Sequence, residues 1–139
     1  MIYASASTIR VDPTVDFTWA GAPLTGVSAD NFSVRWMGEV QPAYSQTYTF
    51  YATVDDGARL WVDGRLIIDG WTDGSVRELS GTTTLTAGVR YDLRLEYYSK
   101  TGSAAIRLSW SSASQVKEVI PTTRLFQPLF ILMNRAASA

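Results

Sequence analysis

Cysteine and histidine are both missing from this 139-residue chain, and each absence removes a block of chemistry. Without thiolate or imidazole, zinc sites built on those ligands cannot form. Ser-His-Asp and Cys-His nucleophile systems are likewise impossible within the chain. Carboxylates, lysine, tyrosine and serine are what remain for catalysis. The lack of cysteine leaves the compartment open, since it suits the cytosol and equally a secreted domain that needs no disulfide. Charge is scarce too: 18% of residues are charged and the net charge is −1. Nothing in this balance suggests an electrostatic nucleic-acid binder, which would need a basic patch or stripe. Long apolar runs are also absent. The longest, Leu129 to Met133, falls far short of the ~18 residues that span a bilayer. The N-terminal stretch MIYASASTIR has no basic region followed by an apolar one, so it does not read as a signal peptide. An exported form of this chain is therefore expected to be a piece of something longer.

What is present is a globular composition, with 46% apolar residues, in a length that suits one domain with a sizeable core. Apolar and polar residues alternate in short runs. NFSVRWMGEV sets Phe32, Val34 and Trp36 on one face. TYTFYATV sets Tyr48, Phe50, Ala52 and Val54 together. VRYDLRLEYY turns Tyr91, Leu93, Leu95 and Tyr97 inward, with Asp92, Arg94, Glu96 and Tyr98 outward. AAIRLSWS does the same with Ile106, Leu108 and Trp110. Within RLWVDGRLII, Asp63-Gly64 reads as a tight hairpin turn. No window holds a sustained 3.6-residue period. Only the last segment, RLFQPLFILMNRAASA, has room for a short helical piece, and Pro128 interrupts it. Short strands with a turn every 8–12 residues predict an antiparallel β-sandwich or barrel.

Three stretches are candidate sites. Asp55-Asp56-Gly57 places two carboxylates side by side at a strand end. It is either a solvated turn or a hard-cation site of the kind calcium prefers. Adjacent side chains in an extended segment point apart, so convergence on one ion needs an unusual backbone, a cis peptide being one form of it. The loop Tyr97–Ala105 is either a plain hairpin or, if its strand runs parallel in space to the one ending at Asp55, a partner at the same end of the fold. In DGWTDGS, Trp71 either plugs the core or offers an exposed ring to the apolar face of a sugar. Paired carboxylates such as Asp55 and Glu96 are not spaced as an evident acid and nucleophile, and the chain is expected not to be an enzyme.

The order FSVRWMGEV, then YTFYATVDDGARLWVDGRLIIDGW, then RYDLRLEYY, IRLSW and VIPTTRLF resembles the protective-antigen type module, the PA-14 domain. The likeness runs from Phe32 to Phe126, with the stretch Phe50–Gly64 close to a signature. The resemblance implies an all-β sandwich or barrel: one domain over 1–139, its core about 10–127, with 128–139 a frayed or extra tail. In lectin-like members two successive aspartates joined by a cis peptide hold calcium, and vicinal sugar hydroxyls complete its shell. Asp55 and Asp56 match that pair, with the backbone of Ser99, Lys100, Thr101 and Gly102 in the helping loop. Trp71, Tyr98 and Lys100 are then the expected ligand-binding residues. The sequence departs from the family where Asn is often found, carrying Ser99 and Lys100 instead. The Lys100 ammonium has the reach to occupy the cation site itself, or to point outward to a hydroxyl or an anionic group. The function implied is a calcium-dependent glycan-binding module of an extracellular or cell-surface protein, serving adhesion or targeting. The alternative is a structural domain of a larger assembly, with the Asp pair held by Lys100 or Arg59 and the apolar tail Leu129–Met133 marking a partner surface.

Overall fold

The structure, a computed structural model, describes residues 2–4, 9–19, 32–100 and 104–127. The expected tail 128–139, with Leu129–Met133, lies outside the described residues, as do Thr101 and Gly102. The described strands are β1 (Ile2–Ala4), β2 (Ile9–Val11), β3 (Asp16–Trp19), β4 (Phe32–Val40), β5 (Gln46–Asp55), β6 (Gly57–Val62), β7 (Arg65–Gly70), β8 (Arg77–Leu85), β9 (Tyr91–Ser99), β10 (Ala104–Ser111), β11 (Glu118–Val119) and β12 (Leu125–Phe126). They form two antiparallel sheets. The larger runs β2-β1-β4-β9-β6-β7, with β12 beside β1 on the free edge of β4. The smaller runs β11-β10-β5-β8, with β3 and β11 sharing one edge of β10.

Period-2 alternation is what makes these segments strands. β4 alternates buried and half-buried residues along its whole length, because successive side chains point to opposite faces. Its inner residues Val34 and Trp36 meet Tyr48, Phe50 and Trp110 from the facing sheet in one core. Tyr48 and Trp110 pack with centroids 4.8 Å apart. Burying the indole N–H of Trp36 demands an acceptor, and the Asp12 carboxylate supplies it at 2.9 Å.

The inward sets expected from the sequence are all on the core side. Glu96 lies on the outer face as expected, yet it is buried, because Arg35 and Arg59 flank it and bind both its oxygens. Asp63 and Gly64 have φ of 54° and 75°, as a two-residue hairpin turn requires. The helical piece considered for the end of the chain is not found in its described part. Thr122–Arg124 is a single 3-10 turn, and Leu125–Phe126 is a strand.

Candidate functional site

The chain changes sheets at the two aspartates. β5 delivers Asp55 from the smaller sheet, and β6 departs from Gly57 in the larger one. The Asp55–Asp56 peptide between them is cis, one form of the unusual backbone expected for the pair. Residues of β9 secure the crossing: the Tyr97 hydroxyl donates to the Asp55 carbonyl at 2.5 Å, and the Asp56 N–H donates to the Tyr98 carbonyl at 3.2 Å. The ends of β5 and β9 therefore lie together, and the Asp pair and Lys100 sit at one end of the fold. Gly57 is required by close approach. A Cβ there would meet a Tyr98 ring carbon at 2.4 Å and the Gly70 carbonyl oxygen at 2.9 Å.

Asp56 is buried and its carboxylate is held from both sides. Oδ1 accepts the Gly74 N–H at 3.2 Å, and Oδ2 accepts the Lys100 N–H at 2.7 Å. The Asp55 carboxylate accepts no hydrogen bond among the described residues. Burial first, and then the neighbouring Asp56 charge, raise its pKa above the ordinary value, while Arg77 pulls the other way. Arg77 lies behind the pair as a clip. Its Nη1 donates to the Asp56 carbonyl at 2.6 Å, and its Nη2 to the Thr72 carbonyl at 3.2 Å, so the 72–75 loop is tied to the aspartates.

The rim is built from β9 and the loop after β7. The Tyr98 hydroxyl donates to Asp73 Oδ1 at 2.7 Å, and the Lys100 ammonium pairs with Asp73 Oδ2 at 3.1 Å. The hydrogen bond from Tyr98, followed by that from Lys100, lowers the Asp73 pKa. Desolvation, together with the bond to Asp73, pushes the Tyr98 phenol up to about 12. Trp71 is half-buried. It does not plug the core, whose members come from the strands and from Val15 and Ile120. Its ring packs against Tyr98 at 4.7 Å, tilted by 58°, and the Arg59 guanidinium lies over it at 4.0 Å from the centroid.

Of the residues expected at the site, Asp55, Asp56, Trp71, Tyr98 and Lys100 are gathered at one end of the sandwich. The two basic groups considered as partners of the aspartates go elsewhere. The Lys100 ammonium goes to Asp73, and Arg59 goes to Glu96. Ser99 is buried at the end of β9, and Lys100 turns its N–H to Asp56. Asp73 and Arg77 were missed. Asp73 had a local signal, because it sits in the same polar glycine-rich loop as Trp71. Arg77 had none, because its acceptor on Asp56 is 21 residues earlier.

The donor set suits a hard cation that seeks oxygen. Asp55 offers a carboxylate uncommitted among the described residues, and each Asp56 oxygen, engaged there by one N–H, keeps a further lone pair. Among the described residues no group of three or more Asp, Glu, His or Cys could hold a metal by itself. The further ligands would have to be backbone or ligand oxygens.

Comparison with known proteins gives three kinds of likeness. The family model described as the PA14 domain matches residues 2–124. The anti-sigma-I factor RsgI3 of Acetivibrio thermocellus is 50% identical over 119 residues, covering 85% of this chain and 18% of that protein. The solved structure of an anti-sigma factor domain-containing protein is 45% identical with a TM-score of 0.87, covering 91% of this chain and 47% of the other. This chain thus spans under one fifth of the first relative's length and about half of the second's. A structure described as a PA14 sugar-binding domain from an RTX adhesin has a TM-score of 0.73 at 15% identity, covering 86% of this chain and 78% of the other. At that identity the likeness concerns the fold.

Proposed function

The chain belongs to the PA14 domain family, and from that premise we propose that residues 1–139 form a non-catalytic glycan-recognition module of a longer protein, acting outside the cell. Asp55 and Asp56 hold a calcium ion, helped by backbone oxygens of the stretch Ser99, Lys100, Thr101 and Gly102. Calcium supplies open coordination positions for vicinal sugar hydroxyls. Trp71 offers a ring face to the sugar's C–H surface, and Tyr98 and the Lys100–Asp73 pair border it. The observation that carries this reading is the meeting, at one end of the fold, of an uncommitted Asp55 carboxylate, a clamped Asp56 and a loop-borne Trp71. The names of the relatives at 45–50% identity favour sensing over adhesion: glycan capture would inform a regulatory protein about the polysaccharide outside. The adhesion role implied by the family resemblance finds no support in these relatives, and the adhesin structure at 15% identity speaks for the fold alone. No helix among the described residues is long and apolar enough to cross a membrane.

A second reading has its own observation. Both Asp56 oxygens already accept backbone N–H groups, as they would if the pair served only to tie loops in a structural domain. A glycan array with and without chelator separates the two. Calcium-dependent signal that is lost in Asp56→Ala supports recognition. A blank array in both conditions, with the melting temperature unmoved by millimolar calcium, defeats it.

A further inference from the structure

The geometry points to Arg59 as a positioning residue for the sugar platform: anchored by Glu96, its guanidinium fixes the plane of the Trp71 ring and so the face turned to the glycan. This rests on Trp71 being the platform proposed above. On the outer face of the larger sheet, the strand register sets Arg35, Glu96, Arg59 and Asp69 in one cross-strand row, so the charges alternate in sign. Glu96 is held from both sides. Its Oε2 takes the Arg35 Nε at 3.0 Å, and its Oε1 takes the Arg59 Nη2 at 3.0 Å. Its side chain is 9% exposed, so this anchor is rigid.

Trp71, by contrast, belongs to no strand, and no ladder fixes its ring. What meets one ring face is the Arg59 guanidinium at 4.0 Å. The Nε of Arg59 is buried without a hydrogen-bond partner among the described residues. The group is therefore held by its hydrogen-bonded arm and by the rings it stacks on, Trp71 and, at 5.7 Å, Trp61. A flat guanidinium can lie parallel to an indole while it donates sideways to a carboxylate; an ammonium has no plane to align. Arg59 covers one ring face and, together with the Tyr98 ring packed at 4.7 Å and 58°, fixes the tilt of the indole. It also removes ring motion that binding would otherwise have to freeze.

The test follows the indole N–H resonances of nitrogen-15-labelled protein, with that of Trp71 identified by its loss in Trp71→Phe. In Arg59→Met the Trp71 resonance shifts and broadens, and Arg59→Lys does not restore it. Arg94→Met, which uncovers Trp61 (4.0 Å), moves the Trp61 resonance and leaves that of Trp71. For a glycan found on the array, Arg59→Met weakens binding about five-fold, the scale of a partly desolvated cation–π contact, with calcium affinity unchanged. In a Trp71→Ala background Arg59→Met adds nothing. An unmoved Trp71 resonance in Arg59→Met, restoration by Arg59→Lys, or an equal loss in the Trp71→Ala background overturns the proposal. If the protein binds no glycan, the functional reading fails, and the resonances alone then decide the role of Arg59.

Discussion

Asp55 and Asp73 sit at one end of the fold under opposite electrostatic pressure. Burial and the Asp56 charge raise the Asp55 pKa above its ordinary 3.8. An acid raised in this way adds stability fully below 3.8 and loses that contribution as pH climbs through the raised value. At neutral pH its ionised form is therefore a cost, which a bound cation would relieve. Calcium affinity should fall on acidification, beginning above pH 3.8, in calorimetric titrations across pH; Asp55→Asn should flatten that limb. Asp73 runs the other way. Its pKa is lowered, so the stability carried by its charged form is present above 3.8 and goes only as pH drops through the lower value. A carboxyl-carbon NMR titration should find Asp73 still ionised where Asp55 is already protonated. Gly57→Ala is expected to cost about 1–3 kcal/mol in denaturant unfolding, as overpacking does, because the new methyl meets both the Tyr98 ring and backbone. The aspartates were legible in the sequence because two adjacent like charges at a strand end are conspicuous. The destination of the Lys100 ammonium was not, since it depends on how the 71–75 loop folds back.

The strands were the most legible elements, because a half-buried sheet writes its period directly into residues such as Tyr48, Phe50, Ala52 and Val54. The Asp63-Gly64 hairpin was legible for a local reason too, since the turn itself demands positive φ. Loops were not. The 71–75 loop takes its shape from Arg77, the first residue of the next strand, reaching back to Thr72 and Asp56. No local pattern announces such a clip. Arg77→Met should release it while leaving both sheets intact. The expected outcome is exchange of the Gly74 amide about ten-fold faster by hydrogen–deuterium exchange, the scale of losing one charge-assisted bond, with amides of β5 and β9 unchanged.

At the scale of the molecule, the fold class followed from the strand pattern, but the sheet order did not. β9 lies between β4 and β6, and nothing in the intervening sequence specifies that insertion. It comes from which apolar faces close one core. The proposed glycan site lies at one end of the sandwich, and a single module should bind glycans weakly. Joining two copies through a flexible linker should raise apparent affinity for an immobilised polysaccharide about 100-fold, if the linker spans two epitopes. Surface plasmon resonance on the single and joined forms would measure it, and equal off-rates would count against a shared glycan surface.

The passage of the chain from one sheet to the other at Asp55-Asp56 gives the site a mechanical meaning. β5 and β6 leave this point into different sheets, and β9 and the 72–75 loop are hydrogen-bonded to it. An ion held there would rivet both layers at one end of the sandwich. Its occupancy should then register along both sheets, as slower amide exchange in β5 and β9 together and as greater resistance to pulling the layers apart in shear.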